Sequence, residues 1–189
     1  MPITAIFGGA FDPITHAHID ICNYILDNKL ADKVMILPCY KSHYDKKMAP
    51  PLERFTMCRL AINNPKIEVS DFEIINFLTG ETLEILPKLM KQYPDDKFSF
   101  VIGMDNAVKI NTWTDWEKLT ALLPFIVLPR EGYEPKDQWF LQKPHIYLKD
   151  YKANSVSSTQ VRKDLIERGT SSLVDELVME YIKMRKLYL

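Results

Sequence analysis

The residues best suited to chemistry follow directly on the first apolar run of the chain. Residues 3–7 have the length and composition of a buried strand, and residues 8–18 then read GGAFDPITHAH. Gly8 and Gly9 let the backbone turn and approach a ligand closely, because they have no Cβ atom. A helical period begins at Thr15, and the free N–H groups of a helix start attract anions. The stretch therefore predicts a phosphate-binding turn.

One histidine of this stretch is placed to act on a bound phosphate. Thr15 and His18 are three residues apart and share a face of the predicted helix, whereas His16 and His18 do not. A tight connection with a partly buried helix histidine is the alternative interpretation. The combination of the glycines, the Asp-Pro pair and a first-turn histidine favours a binding site, with His18 as its central side chain.

A second candidate phosphate site is the segment SSTQVR, which begins at Ser157. Ser157 and Gln160 form the S-x-x-Q pattern of a capping box, so Ser158 and Thr159 occupy the first turn of a helix. Arg162 then lies near the positive end of the helix dipole, where acidic side chains are preferred. A phosphate resolves this conflict, because helix N–H groups, hydroxyls and a guanidinium all bind phosphate oxygens. A capped helix with an exposed arginine is the alternative.

Further candidates lie beyond the other predicted elements. Gly103 and Asp105 follow an apolar strand at residues 98–102, in a position where open α/β sheets bind a nucleotide ribose. An N-cap role for Asp105 is the alternative. Trp113 is either a core anchor or a flat surface for an aromatic ligand. Thr79 is the expected N-cap of another helix.

The loop after the second predicted strand is basic. Residues 33–37 form that strand, and the following segment contains Lys41, His43, Lys46 and Lys47. Ligands of open sheets bind beyond the carboxyl ends of the strands, so these side chains are candidates for contacting an anionic substrate. An ordinary solvated loop is the alternative.

These positions require a sheet that brings several strand ends together. Short apolar runs alternate with amphipathic helical segments, which is typical of βαβ units, so residues 1–189 are predicted to form one α/β domain with a parallel sheet. Residues 67–77 are expected to form a strand and a connection. Pro87 is expected to kink or end its helix, and residues 173–189 to form an amphipathic helix.

Bulk composition excludes several classes of protein. The chain of 189 residues has a net charge of −1, which excludes a broad nucleic-acid-binding surface. The longest apolar run is interrupted by Pro124 and is too short to span a bilayer, and no signal segment precedes the first strand. Three widely spaced cysteines indicate neither a disulfide framework nor a zinc site. We therefore expect a cytoplasmic protein; a homo-oligomer is compatible with the last helix, which suits either core or interface.

Both candidate phosphate sites resemble signatures of one enzyme family, the nucleotidyltransferases that include nicotinate mononucleotide adenylyltransferase and phosphopantetheine adenylyltransferase. GGAFDPITHAH is similar to their GGxFDPxHxGH, and VSSTQVR to their ISSTxxR. Thr15 stands where the first signature histidine is usual, and Ala17 where the glycine is. The resemblance covers nearly the whole chain. Three further segments resemble the nicotinate mononucleotide branch: IGMDNAVKINTWTDW, LTGETL and PPLERFTMCRLAI.

The resemblance implies a Rossmann-like fold with helices on both faces, and transfer of an adenylyl group from ATP to nicotinate mononucleotide. Mg²⁺ is expected to bridge ATP oxygens and to be held largely by substrate and water, with no metal site formed by side chains. The catalytic residues implied are His18, Thr15 and Arg162. The residues implied to bind ATP are Gly8, Gly9, Phe11, His18, Gly103, Asp105, Ser157, Ser158, Thr159 and Arg162. Those implied to bind the second substrate are Thr79, Trp113, Lys41, Lys47 and Arg130.

Alternative functions remain open at this point. The threonine of FDPIT is typical of phosphopantetheine adenylyltransferases, which act in coenzyme A synthesis. A non-catalytic nucleotide-binding module is compatible with the same sequence. A dinucleotide-dependent oxidoreductase is disfavoured, because the first turn lacks G-x-G-x-x-G. The motifs do not distinguish nicotinate from nicotinamide mononucleotide.

Overall fold

The protein is built on one six-stranded sheet. The computed structural model describes residues 1–41, 47–135, 138–152, 154 and 156–188. The strands run parallel in the order β3-β2-β1-β4-β5-β6, which is the order of a doubly wound fold. They are β1 (Ile3–Gly9), β2 (Lys33–Pro38), β3 (Ile67–Val69), β4 (Lys97–Gly103), β5 (Phe125–Leu128) and β6 (Ile146–Tyr147).

Helices connect these strands and cover the sheet. Short 3-10 turns lie at Ile110–Thr112 and Trp139–Leu141. The α-helices are α1 (His16–Asp27), α2 (Pro51–Ala61), α3 (Phe72–Ile75), α4 (Thr82–Gln92), α5 (Met104–Ala107), α6 (Trp116–Leu122), α7 (Ser158–Arg168) and α8 (Glu176–Arg185).

Both faces of the sheet are buried, which is why its strands are apolar runs without polar alternation. Ala5 and Phe7 of β1 belong to a core layer shared with α1, α2, α7 and α8. Ile6 belongs to the opposite layer, with side chains of α3, α4, α5 and α6. The predicted parallel sheet with helices on both faces is therefore confirmed.

The strand order also fixes where a ligand can bind. β1 pairs with β2 on one side and with β4 on the other, so the order of strands reverses direction between β1 and β4. Connections leave this point toward opposite faces and open a crevice beyond the carboxyl ends of the two strands. Gly9 ends β1 and Gly103 ends β4 at this crevice.

The first turn lies later in the chain than the sequence indicates. Gly8 and Gly9 continue β1 and stay paired with β2, so they do not form the turn. The chain turns instead around Phe11, whose φ of +46° is left-handed. Thr15 then caps α1, as the helical period predicts.

Three other elements differ from their predicted extents. Residues 67–77 include the short helix α3 after β3. Helix α4 continues through Pro87, because its apolar face is buried on both sides of the proline. The last helix is shorter than residues 173–189. Asp175 accepts a hydrogen bond from an N–H group of its first turn, and Lys186 ends it with a left-handed φ of 53°.

No helix within the described ranges is long and apolar enough to cross a membrane. Cys22, Cys39 and Cys58 are free thiols, and Cys22 and Cys58 lie in the core, as small buried hydrophobic residues commonly do.

Candidate active site

A cleft of about 980 Å³ opens beyond the carboxyl ends of β1 and β4. Its position is the one that the strand order predicts for a ligand. Most of the residues that the sequence marks as site candidates border this cleft, although they come from both halves of the sheet. They are Gly8, Gly9, His18, Lys41, Gly103, Asp105, Trp113, Arg130, Ser157, Ser158 and Thr159.

The two glycines of β1 leave little room for a side chain. A Cβ atom on Gly8 would lie 3.3 Å from the Phe100 ring, and one on Gly9 would lie 3.3 Å from the Phe11 ring. Phe11 is buried, and its ring centroid lies 5.1 Å from that of His18 in an edge-on contact. Gly8 and Gly9 therefore border the cleft, whereas Phe11 supports the His18 ring from within the core.

His18 is held in one orientation by Thr15. The His18 Nδ1 atom accepts the backbone N–H of Thr15 at 3.0 Å and lies 2.9 Å from the Thr15 hydroxyl oxygen. Burial lowers the pKa of His18 to about 4, so the ring is neutral at neutral pH. Because Nδ1 accepts a hydrogen bond, we assign the ring proton to Nε2. His18 thus offers the cleft an N–H donor that carries no net charge.

A direct hydrogen bond joins the two helix starts. The Ser158 hydroxyl at the start of α7 donates to the Pro13 carbonyl, before α1, over 2.8 Å. The predicted capping box is only half formed. The Ser157 hydroxyl accepts the Gln160 N–H at 3.2 Å, but the Gln160 side-chain amide donates to Asp164 at 2.8 Å. The side chain therefore lies along the helix and does not accept the Ser157 N–H group, as a complete capping box requires. The two helix starts that the sequence marks as separate candidate phosphate sites therefore meet at one cleft.

Arg162 does not border the cleft directly. Its Nη1 atom donates to the Asp12 carbonyl at 2.6 Å and lies 3.6 Å from the Asp12 Oδ2 atom. Its Nη2 atom donates to the Thr159 hydroxyl at 3.2 Å. The guanidinium therefore sits behind the first turn of α7, joined to a side chain that does border the cleft.

The opposite side of the cleft carries an ion pair. Arg130, after β5, lies 3.2 Å from Asp105 of α5. A Cβ atom on Gly103 would lie 2.5 Å from an Asp105 oxygen, so a side chain where β4 ends would displace the Asp105 carboxylate. Asp105 does not cap α5, since Gly103 is the N-cap residue. A paired carboxylate at a strand end can still accept a ribose hydroxyl.

Thr79, a predicted substrate contact, lies outside the cleft. The Thr79 hydroxyl donates to Glu84 at 2.7 Å, and Glu81, not Thr79, is the N-cap of α4. The sequence prediction of that cap was wrong, because the helix begins three residues after Thr79. Gly80 and Thr82 from the same turn border the cleft instead, beside an adjoining cavity of about 240 Å³.

The basic loop after β2 is only partly described. Lys41 borders the cleft, whereas Lys47 is exposed and does not. The candidates His43 and Lys46 lie outside the described residues. Lys41 is thus the one member of this cluster that the described structure brings to the site.

Sequence reasoning missed a buried arginine that holds the site together. Arg54 is fully buried, and its guanidinium donates to backbone carbonyls of two loops, the one after β1 and the one after β2. They are the carbonyl of Ala10 at 2.6 Å in the first loop, and those of Cys39 at 2.6 Å, Ala49 at 2.9 Å and Tyr40 at 3.4 Å in the second. The available signal was an arginine in the first turn of α2, where the helix dipole disfavours a cation.

Glu73 is the other site residue that the sequence did not mark. It borders the cleft from α3 and accepts the Tyr40 N–H at 3.4 Å. Burial raises the pKa of Glu73 to about 8, so this carboxyl group is largely protonated at neutral pH. It therefore places little negative charge beside an anionic ligand.

The candidate active site arranges hydrogen-bond donors and cationic side chains around one large cavity. Two helix starts, the His18 Nε2–H group and the Lys41 ammonium face or adjoin the same space. Such an arrangement binds a chain of phosphates and stabilises charge that develops on them. The described side chains supply no group of three His, Cys, Asp or Glu residues that could hold a metal ion.

Comparisons with known proteins agree with this geometry. The cytidylyltransferase-like family model matches residues 6–164. The chain is 34% identical to a probable nicotinate-nucleotide adenylyltransferase of Corynebacterium glutamicum, over 97% of this chain and 87% of the relative. It is 33% identical to one of Caldicellulosiruptor saccharolyticus, over 97% of both chains.

A solved structure extends the likeness to three dimensions. Plasmodium falciparum nicotinic acid mononucleotide adenylyltransferase complexed with NaAD is 25% identical, with a TM-score of 0.81. The alignment covers 100% of this chain and 98% of that one. The likeness therefore includes the whole sheet and both helix starts at the cleft.

Proposed function

This chain belongs to the cytidylyltransferase-like family, and on that premise we propose that it transfers the adenylyl group of ATP to nicotinate mononucleotide. The products are nicotinate adenine dinucleotide and pyrophosphate, so the reaction belongs to NAD biosynthesis. One observation carries the proposal: the starts of α1 and α7, joined by the Ser158–Pro13 hydrogen bond, border one cleft of about 980 Å³. That volume is at the upper end of small-molecule sites and suits two nucleotides bound side by side.

The reaction needs no covalent enzyme intermediate. A phosphate oxygen of nicotinate mononucleotide forms a bond to the α-phosphorus of ATP, and the bond from that phosphorus to the bridging oxygen of pyrophosphate breaks. The leaving pyrophosphate takes the electron pair of the broken bond. Catalysis then consists of aligning the two nucleotides and stabilising the charge on the transferred phosphoryl oxygens.

His18 has the geometry for the second task. With Nδ1 engaged by Thr15, the Nε2–H group donates to a non-bridging oxygen of the α-phosphate. Thr15 acts through His18 and does not itself reach the substrate, because it is buried. This replaces the direct role that the family resemblance implied for Thr15.

The start of α7 is assigned to the phosphates that leave. The first-turn N–H groups of Ser158 and Thr159 have no helical carbonyl to bond, and the hydroxyls of the same turn lie beside the cleft. Arg162 adds a guanidinium that Thr159 and the Asp12 carbonyl hold in place. Gly8 and Gly9 allow the phosphates to approach the backbone of β1.

The second nucleotide is assigned to the other end of the cleft. Trp113 offers an aromatic face for the pyridine ring, next to Gly80 and Thr82. Lys41 and Arg130 add positive charge for the carboxylate and the phosphate of this substrate. Gly103 and Asp105, between the two ends, remain for the adenosine of ATP.

Mg²⁺ would enter this site on ATP. The proposal assigns the ligands of the ion to ATP oxygens and water, and to no group of side chains. Mg²⁺ retains several waters and binds through substrate phosphates in such sites. When bound it neutralises phosphate charge, while the side chains above position the nucleotides.

A pyrophosphate-release assay with ATP and Mg²⁺ tests the proposal. Nicotinate mononucleotide, nicotinamide mononucleotide and phosphopantetheine are compared as second substrates at equal concentration. We expect the highest kcat/KM with nicotinate mononucleotide. Preference for phosphopantetheine would support the alternative that Thr15 favours, and no release with any of them would leave only a nucleotide-binding module.

The proposal includes a cytoplasmic enzyme that acts on small molecules. Free thiols at Cys22, Cys39 and Cys58 support a reducing compartment. The prediction of no nucleic-acid partner rests on the net charge of −1. The homo-oligomer stays a prediction, and size-exclusion chromatography with light scattering measures it.

A further inference from the structure

The segment after α8 packs against the first turn, behind the part of the cleft assigned to ATP. Lys186 and Tyr188 both have left-handed backbones, with φ of 53° and 65°, so the chain folds back on itself after the helix. The Leu187 N–H group bonds to the Ile182 carbonyl at 3.0 Å within this turn. A tyrosine in this conformation is strained, so its side-chain contacts must hold it there.

The main contact of Tyr188 is with Asp12 of the first turn. The Tyr188 hydroxyl donates to the Asp12 Oδ1 atom at 2.6 Å, across 176 positions of sequence. The Ala49 N–H group donates to the same oxygen at 3.0 Å. Two donors on one oxygen fix the plane of a carboxylate, and Asp12 is 1% exposed.

The second oxygen of Asp12 is directed toward Arg162. Asp12 Oδ2 is buried without a hydrogen bond among the described residues, and the Arg162 Nη1 atom lies 3.6 Å from it. The same Nη1 atom donates to the Asp12 carbonyl at 2.6 Å. A carboxylate that rotated away from Arg162 would remove the charge that holds the guanidinium there.

The contacts that hold Arg162 in this arrangement engage only some of its N–H donors. The Asp12 carbonyl and the Thr159 hydroxyl each take one N–H group, whereas a guanidinium carries five N–H donors. Its side chain is 23% exposed. Donors therefore remain for phosphate oxygens beside the start of α7.

From these contacts we propose that Tyr188 is a positioning residue for the triphosphate of ATP, acting through Asp12 on Arg162. The inference rests on the proposed function, because it assigns the start of α7 to ATP phosphates. Burial and the hydrogen bond to Asp12 raise the pKa of the Tyr188 hydroxyl, so the phenol keeps its proton and remains a donor. Tyr188 itself does not border the cleft.

The chain supplies a matched control in the same region. Tyr181 of α8 also donates its hydroxyl to a carboxylate, Glu53 of α2, at 2.6 Å. That contact joins two helices together with Arg185 but does not involve Arg162. Tyr181→Phe therefore removes a tyrosine–carboxylate hydrogen bond of the same length, one that supports only the packing of α8.

The test compares Tyr188→Phe with Tyr181→Phe in steady-state kinetics. We expect Tyr188→Phe to raise the KM for ATP about tenfold, and to change the KM for nicotinate mononucleotide less than twofold. Tyr181→Phe changes the KM values for the two substrates equally or not at all. Equal shifts of both KM values in Tyr188→Phe, or no shift, would overturn the proposal.

Two further measurements separate positioning from loss of structure. In an Arg162→Ala background, Tyr188→Phe is expected to have no additional effect on ATP; a persistent effect would show that Tyr188 does not act through Arg162. Asp12→Asn is expected to reproduce the rise in the KM for ATP, with thermal unfolding confirming the native fold. If Tyr188→Phe does not fold, Asp12→Asn decides the question alone.

Calorimetric titration with a non-hydrolysable ATP analogue keeps this inference distinct from the proposed function. It measures triphosphate binding without turnover, and Tyr188→Phe is expected to weaken binding about tenfold. A wild-type chain that binds the analogue but releases no pyrophosphate would overturn the proposed function alone. Unchanged analogue affinity in Tyr188→Phe would overturn the role of Tyr188 alone.

Discussion

Replacing His18 by alanine tests the assignment of the α-phosphate donor, and His16 provides the control. The two histidines lie in the first turn of α1, but only His18 borders the cleft. His16 is exposed, and its backbone N–H group bonds to the Leu173 carbonyl at 3.0 Å. Alanine at either position preserves the helix, because alanine has the highest helix propensity.

The expected loss follows from what the His18 ring supplies. One N–H donor aimed at developing charge is worth about 2.7–4 kcal/mol, or roughly 10²–10³-fold in kcat. The loss in His18→Ala is at this level, because Thr15 fixes the tautomer that presents Nε2–H to the cleft. His16→Ala stays within about twofold of wild type, since an exposed side chain away from the ligand contributes little.

The pH profile distinguishes a neutral donor from a charged one. Burial lowers the pKa of His18 to about 4, so the ring of the free enzyme does not titrate near its ordinary value of 6.5. We expect the wild-type kcat/KM for ATP to show no loss as the pH rises through 6.5. Activity that disappeared there would mean that the imidazolium is the active form.

Pyrophosphate release at saturating substrates measures kcat for the three proteins, and circular dichroism confirms their helix content. Equal losses in His16→Ala and His18→Ala would refute the assignment, because helix geometry and the Thr15 contact place only His18 at the phosphate. A full-activity His18→Ala variant would refute the role of the donor itself.

Two further predictions concern stability. Arg54→Met should lower the free energy of unfolding by about 3–5 kcal/mol in urea titration, because backbone carbonyls of two loops lose their donor; Lys47→Met, in an exposed position, should change it by less than about 0.5 kcal/mol. The unfolded state binds a proton at His18 below pH 6.5 while the folded state stays neutral down to about 4, so stability falls as the pH drops through this range. The loss is at most about 3 kcal/mol, and a His18→Gln variant that loses as much as wild type would contradict this cause.

The local parts of the site could be predicted from the sequence because they depend on neighbours in the chain. The apolar runs indicated β1, β2 and β4, and the capping signal indicated the start of α7. The placement of Thr15 and His18 on one face followed from helix geometry alone. A strand, a turn and a helix start are each encoded within a few residues, so their convergence on a sheet edge followed from the βαβ pattern.

The contacts that hold the site lie between distant segments, and no periodicity encodes them. Arg54 donates to carbonyls of the loop after β1 and of the loop after β2, and Asp12 accepts a hydrogen bond from Tyr188, 176 positions away in the sequence. The start of α4 was misplaced for a different reason: Thr79 has a good capping side chain, but its hydroxyl donates to Glu84. The Glu84 carboxylate, in the first turn of α4, thus takes the Thr79 hydroxyl that local sequence preference assigns to a capping role.

The proposed binding of two anionic nucleotides is compatible with a net charge of −1, because the acidic residues in and behind the cleft are mostly compensated. Asp105 is paired with Arg130, and Glu131 is exposed at the edge of the cleft, where solvent screens its charge. Asp12 lies behind the cleft and faces Arg162. Burial raises the pKa of Glu73 to about 8, which removes most of its charge at neutral pH. Positive charge from Lys41 and the two helix starts then dominates locally, because paired charges cancel at a distance while fixed dipoles at the cleft do not.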